Sequence, residues 1–402
     1  MTNVPEIRFK GFTDAWEQRA IGEYGYFYYG KSAPKWSVSE DAPTPCIRYG
    51  ELYTKFDEKI DKVFSRTNIP PNQLKYSTGR EVLVPRVGEE PLDFANCSWI
   101  SLPDVAIGEM ISVYNTAQNP LFVAFYFNAM LKHEFAEKVE GGNVSNLYYD
   151  RLVDITVRFP DTKEQGLIAT FFDKLNDTIA IHKRKLDGLR ELKKAYLQVM
   201  FPQAGETVPR VRFDGFSEPW CTKKVSELVT LTVREIPKPT KPYKRISVRS
   251  HAKGTFQQVV DDPNKVAMDN LYVVHENDLI VNITFAWEHA VAIATQQDHG
   301  LLVSHRFPTY IANKSDVNFL RILVTQEAFR QKLKLISPGG AGRNRVLNKN
   351  DFANLELVVP SIEEQFFIGM FFNALDKEIV TQASKTELLA QLKSAYLQKM
   401  FV

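Results

Sequence analysis

Two segments of the chain, residues 160–201 and 360–401, share one pattern of apolar and polar positions. They align without a gap, and about eighteen positions are identical. In each segment the apolar side chains recur at alternating steps of four and three residues, which is typical of a long α-helix with a narrow coiled-coil seam. The predicted seam residues are Ile168, Phe172, Leu175, Ile179, Leu186 and Leu189 in the first copy and Ile368, Phe372, Leu375, Ile379 and Leu389 in the second.

Each segment also carries the signals of a helix start. Asp161 and Ser361 follow a proline and are N-cap candidates, and Glu164 and Glu364 stand three residues later, at the spacing of a capping box. A helix of about 38 residues is about 57 Å long. Neither helix can bury its seam alone, and the chain between them favours an antiparallel pair. Two core helices of one large domain would explain the seam but not its repetition.

The repeat extends to a short motif that precedes each half. Residues 4–18 return as residues 208–222 with the pattern VPxxRFxGF, and Trp16 and Trp220 are kept. We expect these aromatic side chains to pack on the domain that follows. The order predicts four segments, which are 1–159 (motif and first globular domain), 160–203 (first spacer helix), 204–359 (motif and second globular domain) and 360–402 (second spacer helix).

The two globular segments, 19–159 and 223–359, resemble each other far less than the helices do. The predicted β-type runs are 82–87, 106–114, 271–274, 279–283 and 291–294, and the predicted helical stretches are 121–138 and 316–335. The sequence therefore predicts an α+β fold. In this fold two globular domains of mixed helix and strand are separated by two long antiparallel coiled-coil helices, with an internal pseudo-two-fold repeat.

Composition limits the possible classes of protein. A chain of 402 residues can form two to three domains, and a net charge of +2 means that any nucleic-acid surface is local. Cys46, Cys97 and Cys221 are too few and too scattered for a disulfide framework or a metal site. The first residues lack the apolar core of a signal peptide, and no run reaches a membrane-spanning length. We therefore expect a cytoplasmic protein.

The sequence shows no motif for catalysis. There is no glycine-rich turn of the kind that binds S-adenosylmethionine, no P-loop and no metal-ligand spacing of histidine or cysteine. We therefore expect no catalytic residue, no metal and no cofactor in this chain. Residues 119–122, Asn-Pro-Leu-Phe, resemble the NPPF element of amino-methyltransferases but lack its second proline, which favours a helix start. A self-sufficient DNA adenine methyltransferase is the alternative that this segment leaves open.

Local basic stretches indicate a nucleic-acid surface. Residues 223–253 contain nine Lys or Arg against two acids, and such cations on an extended loop can follow a phosphate backbone. The glycines of residues 338–345 allow close approach of the backbone beside two arginines. The candidate DNA contacts are Lys31, Lys35, Arg48, Arg80, Arg86, Lys238, Lys241, Tyr243, Lys244, Arg245, Arg249, Arg343 and Arg345. A solvated loop is the other interpretation of residues 223–253.

With this layout the chain resembles the DNA-specificity (S) subunit of type I restriction-modification systems. The resemblance is carried by the PxxxEQ motifs at 160–165 and 360–365, each followed by FF and a long helix, and by the two VPxxRFxGF openings. The run IRYGEL at residues 47–52 adds to it. The resemblance covers essentially the whole chain.

The resemblance implies a non-catalytic reader of double-stranded DNA. In the family, two target-recognition domains each dock on one half of a split site, and the helices set the gap between the halves. Two modification subunits bind S-adenosylmethionine and methylate adenine, and two restriction subunits join them. The resemblance therefore assigns S-adenosylmethionine, ATP and Mg to partner subunits. A helical scaffold protein without DNA binding is the remaining alternative.

Overall fold

The computed structural model describes residues 4–31, 33–142, 145–337 and 346–402. Contacts divide the chain into two compact units. Unit 1 comprises Met1–Arg184 with Ser384–Val402, and unit 2 comprises Lys185–Ala383. Each unit therefore contains part of both repeated segments, and the four-segment division expected from the sequence stays a prediction.

The strands of unit 1 form several sheets. They are β1 Glu17–Ala20, β2 Gly25–Tyr29, β3 Thr44–Ile47, β4 Lys59–Ile60, β5 Ser65–Thr67, β6 Tyr76–Thr78, β7 Glu81–Pro85, β8 Val87–Gly88, β9 Ser98–Ile100, β10 Pro103–Ile107, β11 Ile111–Thr116, β12 Glu140–Gly141, β13 Ser145–Asn146 and β14 Thr156–Phe159. Within the described residues the larger sheets have the strand orders β2-β11-β7-β9-β4 and β5-β3-β10-β6. Strand β7 is buried along its whole length. Its apolar residues 82–85 fit this burial, and the buried Glu81 carboxylate accepts hydrogen bonds from Thr78 and Arg80.

The described helices of unit 1 are short, apart from the first long helix. They are α1 Ile21–Tyr24, α2 Tyr49–Thr54, α3 Pro120–Met130, α4 Lys132–Glu137 and the first long helix, α5 Thr162–Val199, with 3-10 helices at Lys35–Ser37, Pro71–Gln73, Pro91–Ala95 and Tyr149–Arg151. Helix α3 begins at Asn119, whose side-chain oxygen accepts a 3.0 Å hydrogen bond from the Phe122 backbone N–H. The helix start expected there is confirmed. The helical stretch predicted over 121–138 is present as two helices, α3 and α4, because the chain leaves helical geometry at Leu131.

Unit 2 has its own sheets. Its strands are β15 Cys221–Lys224, β16 Thr230–Thr232, β17 Glu235–Pro237, β18 Tyr243–Val248, β19 Thr255–Val260, β20 Asn270–Val273, β21 Leu279–Val281, β22 Val291–Ile293, β23 Leu302–Val303, β24 Thr309–Ile311 and β25 Glu356–Val359. Within the described residues the larger sheets have the orders β17-β20-β23-β18-β19 and β16-β24-β21-β22. Strand β19 is therefore the edge strand beside β18.

The helices of unit 2 are shorter, apart from the second long helix. They are α6 Val317–Leu323, α7 Glu327–Ile336, α8 Lys349–Ala353 and α9 Ile362–Met400, with 3-10 helices at Val225–Glu227, Pro263–Lys265, Ala286–Glu288 and Gln296–Asp298. Helices α6 and α7 occupy the stretch predicted as one helix, and the chain turns between them. The mixed helix and sheet content predicted from the sequence is confirmed. Among the described helices, none combines the length and apolar content needed to cross a membrane.

The two long helices confirm the strongest prediction from the apolar pattern. Helix α5 has 38 residues and α9 has 39. The Asp161 carboxylate caps α5 by accepting hydrogen bonds from the backbone N–H groups of Lys163 (2.7 Å) and Glu164 (3.1 Å). The Ser361 hydroxyl accepts from the Glu364 N–H at 3.3 Å. The predicted caps therefore form and stabilise the first turns.

Contacts within each unit show that the long helices run antiparallel. In unit 1 the beginning of α5 packs against the end of α9, where the Phe171 and Tyr396 rings are 5.1 Å apart. In unit 2 the end of α5 packs against the beginning of α9, where the Tyr196 and Phe371 rings are 4.9 Å apart. An ion pair of 2.5 Å between Lys193 and Asp376 supports the second contact.

All eleven predicted seam residues are buried or half-buried. Ile168 and Phe172 lie in the main core of unit 1, and Ile368 and Phe372 lie in the main core of unit 2. The seam is therefore shared at these positions between the partner helix and the globular part of each unit.

The end of one long helix completes the core of each unit. In unit 1, Phe401 packs edge-on against Trp16 with ring centroids 6.2 Å apart. In unit 2, Phe201 packs in the same way against Trp220 at 5.7 Å. Both tryptophans are at most 3% exposed, which confirms that the repeated motifs pack on the globular domains.

Candidate nucleic-acid interface

The main basic surface of unit 2 is the ribbon formed by β18 and β19. The strands pair antiparallel from Tyr243 opposite Val260 to Val248 opposite Thr255. Ile246 and Val248 are buried, whereas the neighbouring Lys244 and Arg245 are exposed. Ile246 and Val248 lie on one face of the strand and anchor the ribbon. Lys244 lies on that same face at the exposed end of the strand, and Arg245 lies on the opposite face, so both cations reach solvent. A two-stranded ribbon of this kind fits the major groove of DNA.

Other predicted contacts in unit 2 lie around this ribbon. Lys241 is exposed just before β18, and the Arg249 guanidinium lies 5.0 Å from the Phe256 ring centre. Lys238 is half-buried, and its Nζ donates a 2.7 Å hydrogen bond to the Val266 carbonyl, so its charge is already engaged within the unit. The Tyr243 hydroxyl is buried instead of standing among the charges. Arg343 and Arg345 lie outside the described residues.

The predicted contacts of unit 1 are more dispersed. Lys31 and Lys35 are exposed, and the adjacent Trp36 is 80% exposed. Arg48 is half-buried at the start of α2, where its backbone N–H donates a 2.9 Å hydrogen bond to the Glu51 carboxylate. Lys31 and Lys35 can contact phosphate, and the exposed Trp36 ring beside them offers a surface on which a base can stack.

The remaining two candidates of unit 1, Arg80 and Arg86, differ in how far their side chains are held by the domain. Arg80 is exposed and reaches the Thr116 carbonyl only at 3.4 Å. Arg86 is half-buried, with its guanidinium 4.7 Å from the Tyr29 ring centre and Nη2 3.0 Å from Met110 Sδ. Arg80 is therefore free to reach a ligand, whereas Arg86 is held against its own domain.

Sequence reasoning did not select an exposed aromatic cluster in unit 1. The Phe64 ring is 53% exposed and packs against the Phe56 ring, with the ring centroids 5.8 Å apart and the planes tilted by 33°. The ammonium groups of Lys55 and Lys62 lie 5.9 and 5.4 Å from its centre. Cation–π contacts of this length hold lysines over a ring face. The sequence between residues 55 and 64 contains three lysines and two phenylalanines, but three acids stand among them, so its charge does not distinguish it from ordinary surface.

The same polar contacts join motif, helix and domain in both units. In unit 1 the Arg8 guanidinium donates two hydrogen bonds, of 2.9 and 2.7 Å, to the Glu164 carboxylate. In unit 2, Arg212 donates bonds of the same two lengths to Glu364. The carboxylate hydrogen bond raises the pKa of each arginine above its ordinary value. Glu164 and Glu364 therefore serve as ion-pair partners of the motif, a role that the capping-box spacing did not predict.

The glutamine of each EQ pair makes a second repeated contact. Gln165 Nε2 donates a 2.8 Å hydrogen bond to the Pro160 carbonyl, and its Oε1 accepts 2.9 Å from the Asn119 backbone N–H. Gln365 makes the corresponding bonds to the Pro360 carbonyl and the Asp316 backbone N–H, at 3.0 and 3.1 Å. The EQ dipeptides thus fix the start of each long helix to its motif and to a helix start in the globular domain.

Residues 119–122 take part in helix capping, in the contact with Gln165 and in core packing. The Asn119 side chain caps α3, and its backbone N–H is held by Gln165. Phe122 is completely buried and packs at 5.6 Å on Phe401. Within the described residues there is also no group of three His, Cys, Asp or Glu side chains placed to hold a metal ion.

Comparison with known proteins gives one family and one fold. Residues 107–191 match the family model described as the type I restriction modification DNA specificity domain. A search of curated proteins found no match. The crystal structure of the type I restriction-modification system S subunit from M. genitalium superimposes with a TM-score of 0.59 at 12% identity, over 99% of each chain.

A second solved structure agrees with this result. Its description is the structural basis underlying complex assembly and conformational transition of the type I R-M system. The TM-score is 0.50 at 13% identity, over 96% of this chain and 97% of that chain. The resemblance noted from the PxxxEQ and VPxxRFxGF motifs is confirmed: residues 107–191 match the model of the type I restriction modification DNA specificity domain, and the fold of the chain over 99% of its length is similar to that of a type I S subunit.

Proposed function

We propose that this chain is the non-catalytic specificity subunit of a type I restriction-modification complex and that it reads a two-part site in double-stranded DNA. The observation that carries the proposal is a set of hydrogen bonds that recurs at the start of both long helices. In each unit an arginine of the motif bonds to the glutamate of the EQ pair, and the glutamine of that pair bonds to the proline carbonyl before the helix. One supporting frame used twice, with two dissimilar domains, suits recognition of two different half-sites.

The exposed cations supply the affinity for DNA in this proposal. Lys241, Lys244 and Arg245 on unit 2, and Lys31 and Lys35 on unit 1, are exposed to solvent. Each phosphate contact by such a group releases counterions, so binding weakens as salt concentration rises. The net charge of +2 means that this attraction is local to the two surfaces.

An apolar patch on α9 is the proposed docking surface for a partner subunit. Ile362, Phe366, Phe367 and Met370 are 48% to 54% exposed. They recur at steps of four, one and three residues, so they share one helix face. Phe367 also contacts the ring of Phe213 at 5.8 Å, which extends the patch onto the repeated motif. Exposed apolar surface of this kind marks protein–protein contact.

The reaction chemistry is assigned to the partners. In this proposal the modification subunits bind S-adenosylmethionine and methylate adenine, and the restriction subunits bind ATP and Mg. The segment that suggested a methyltransferase in this chain is occupied by helix capping and core packing. This use of Asn119 favours the specificity subunit over the self-sufficient methyltransferase.

The test is capture of the working complex from the natural host on a tagged full-length chain. We expect the captured complex to transfer methyl groups from S-adenosylmethionine to adenine in duplex DNA, and a mock capture from cells without the chain to transfer none. Phe366→Ser with Met370→Ser should lower the yield of methyltransferase. Leu388→Ser, at a 65% exposed position of α9 outside the patch, is the matched control and should not. Methyl transfer by the purified chain alone would overturn the proposal.

A further inference from the structure

Two polar residues on the β18–β19 ribbon, Arg245 and Gln258, form a hydrogen-bonded pair that can contact the edge of a base as well as phosphate. Arg245 and Gln258 face each other across the two strands. Arg245 Nε donates a 3.1 Å hydrogen bond to Gln258 Oε1. Both side chains are exposed, and β19 is an edge strand. The bond fixes two flexible side chains relative to each other on the open side of the ribbon.

The hydrogen bond between them determines what the pair can recognise. It uses Arg245 Nε and the carbonyl oxygen of Gln258, which leaves the two Nη groups and the Gln258 Nε2 group as donors. An edge that offers only acceptors is complementary to them. In the major groove, guanine presents the two acceptors O6 and N7. Cytosine presents an amino donor, adenine combines the N7 acceptor with an amino donor, and thymine offers the single acceptor O4 beside a methyl group, so guanine matches several donors best. The pair is therefore suited to guanine.

A recess beside the pair supplies a second contact for a base. Its volume is about 180 Å³, and its lining includes Arg245, Gln258 and Tyr243 together with the apolar side chains of Met268, Leu271 and Phe307. The Tyr243 hydroxyl is buried and has no hydrogen-bond partner within the described residues. A buried hydroxyl without a partner is costly, but this one is covered, so the recess offers a base its open lining and not the hydroxyl itself.

We propose that Arg245 and Gln258 read a guanine in the half-site recognised by unit 2, with the Tyr243 recess receiving the neighbouring base edge. The proposal rests on the function proposed above. It gives Arg245, which the sequence indicates only as a cation, a role in base recognition. Gln258 was not among the sequence candidates, because an uncharged strand residue gives no signal of its own. Lys241 and Lys244 remain phosphate contacts.

The test compares the sequences methylated in host cells that carry the chain as wild type, Arg245→Ala, Gln258→Ala or Lys241→Ala. Loss of a good bidentate base contact costs about 5- to 150-fold in discrimination. Arg245→Ala should therefore relax one G·C position in one half of the site by that factor. Gln258→Ala should relax the same or the adjacent position. Lys241→Ala is the matched loss of an exposed cation and should lower methylation equally at all sites without changing the sequence.

The outcomes separate this inference from the proposed function. Absence of chain-dependent methylation in wild-type cells contradicts the function itself. A defined wild-type site that stays unchanged with both Arg245→Ala and Gln258→Ala overturns the inference and leaves the function intact. If either variant loses methylation everywhere, the captured complex is used to select DNA from a randomised pool. An unchanged preference in that selection overturns the inference, and a relaxed G·C position supports it.

Discussion

The two buried ion pairs show how single residues can secure the repeated frame. The side chains of Arg8 and Glu164 are 10% and 0% exposed, and those of Arg212 and Glu364 are 11% and 2% exposed. Desolvation offsets much of the attraction within such a pair, but removal of one partner leaves a buried charge without compensation. These pairs therefore matter most for holding motif and helix in one arrangement.

We predict that Arg8→Ala lowers the free energy of unfolding of unit 1 by about 3 to 5 kcal/mol, because Glu164 is left buried and unpaired. Hydrogen exchange followed along the full chain should show lost protection in unit 1 and little change in unit 2. Arg212→Ala should give the opposite result.

Lys185→Ala provides the control for this experiment. Lys185 and Glu378 form a 2.7 Å ion pair, but their side chains are 52% and 46% exposed, so its loss should cost about 1 kcal/mol or less. Equal effects of Arg8→Ala and Lys185→Ala would contradict the role given to the buried pairs.

The sequence contained both members of each ion pair but did not identify the pairing. Arg8 and Arg212 stand at matching places in the motif, and Glu164 and Glu364 at matching places in the helix. The capping-box spacing favoured a local role for the glutamates, and the structure uses them at long range. Repetition of an arginine together with a glutamate was the signal that could have revealed the pairs.

At the scale of secondary structure, the residue that follows each long helix by one or two positions adds an aromatic ring to the core of a unit. Phe401 is 3% exposed in the core of unit 1, and Phe201 is 7% exposed in the core of unit 2. The identical run AYLQxMF at the end of both segments thus has a structural reason. Its last aromatic ring fills the space beside the tryptophan of the motif.

Phe401→Ala should destabilise unit 1 by about 3 to 5 kcal/mol, because it removes a buried ring and leaves a cavity. Phe201→Ala should do the same to unit 2. Limited proteolysis of the full chain with mapping of the first cleavage sites would locate the damage. If cleavage of Phe401→Ala began in unit 2, the placement of Phe401 in the core of unit 1 would be wrong.

Helices could be predicted from the sequence more reliably than strands. The apolar pattern of residues 160–201 and 360–401 specifies long helices because it repeats over many turns. The run 106–114 was predicted as one strand and is two, β10 and β11, separated by a turn at residues 108–110. Short apolar runs of this kind carry no period long enough to place a turn, so the sheet order of either unit was beyond sequence reasoning.

At the scale of the whole molecule, the same set of supporting contacts, called the frame here, holds two globular domains of different sequence. The Arg–Glu pairs, the glutamine contacts, the tryptophans and the aromatic tails recur in both units. The sheets also share their strand order, because β2-β11-β7-β9 corresponds to β16-β24-β21-β22 and β5-β3-β10-β6 corresponds to β19-β18-β23-β20. The sequences of the two globular domains differ far more than these shared features do. Selection can therefore change either domain without changing the frame. Duplication was visible in the sequence, but the bases read by each domain depend on side-chain positions in the groove and were not.

The most direct test of the central claim is a genome-wide map of methylated adenines in host cells with and without this chain. If the chain is a specificity subunit, one two-part sequence should be methylated only when the chain is present. The same map with the chain restored from a plasmid should recover that sequence. Identical maps in the presence and absence of the chain would contradict the account.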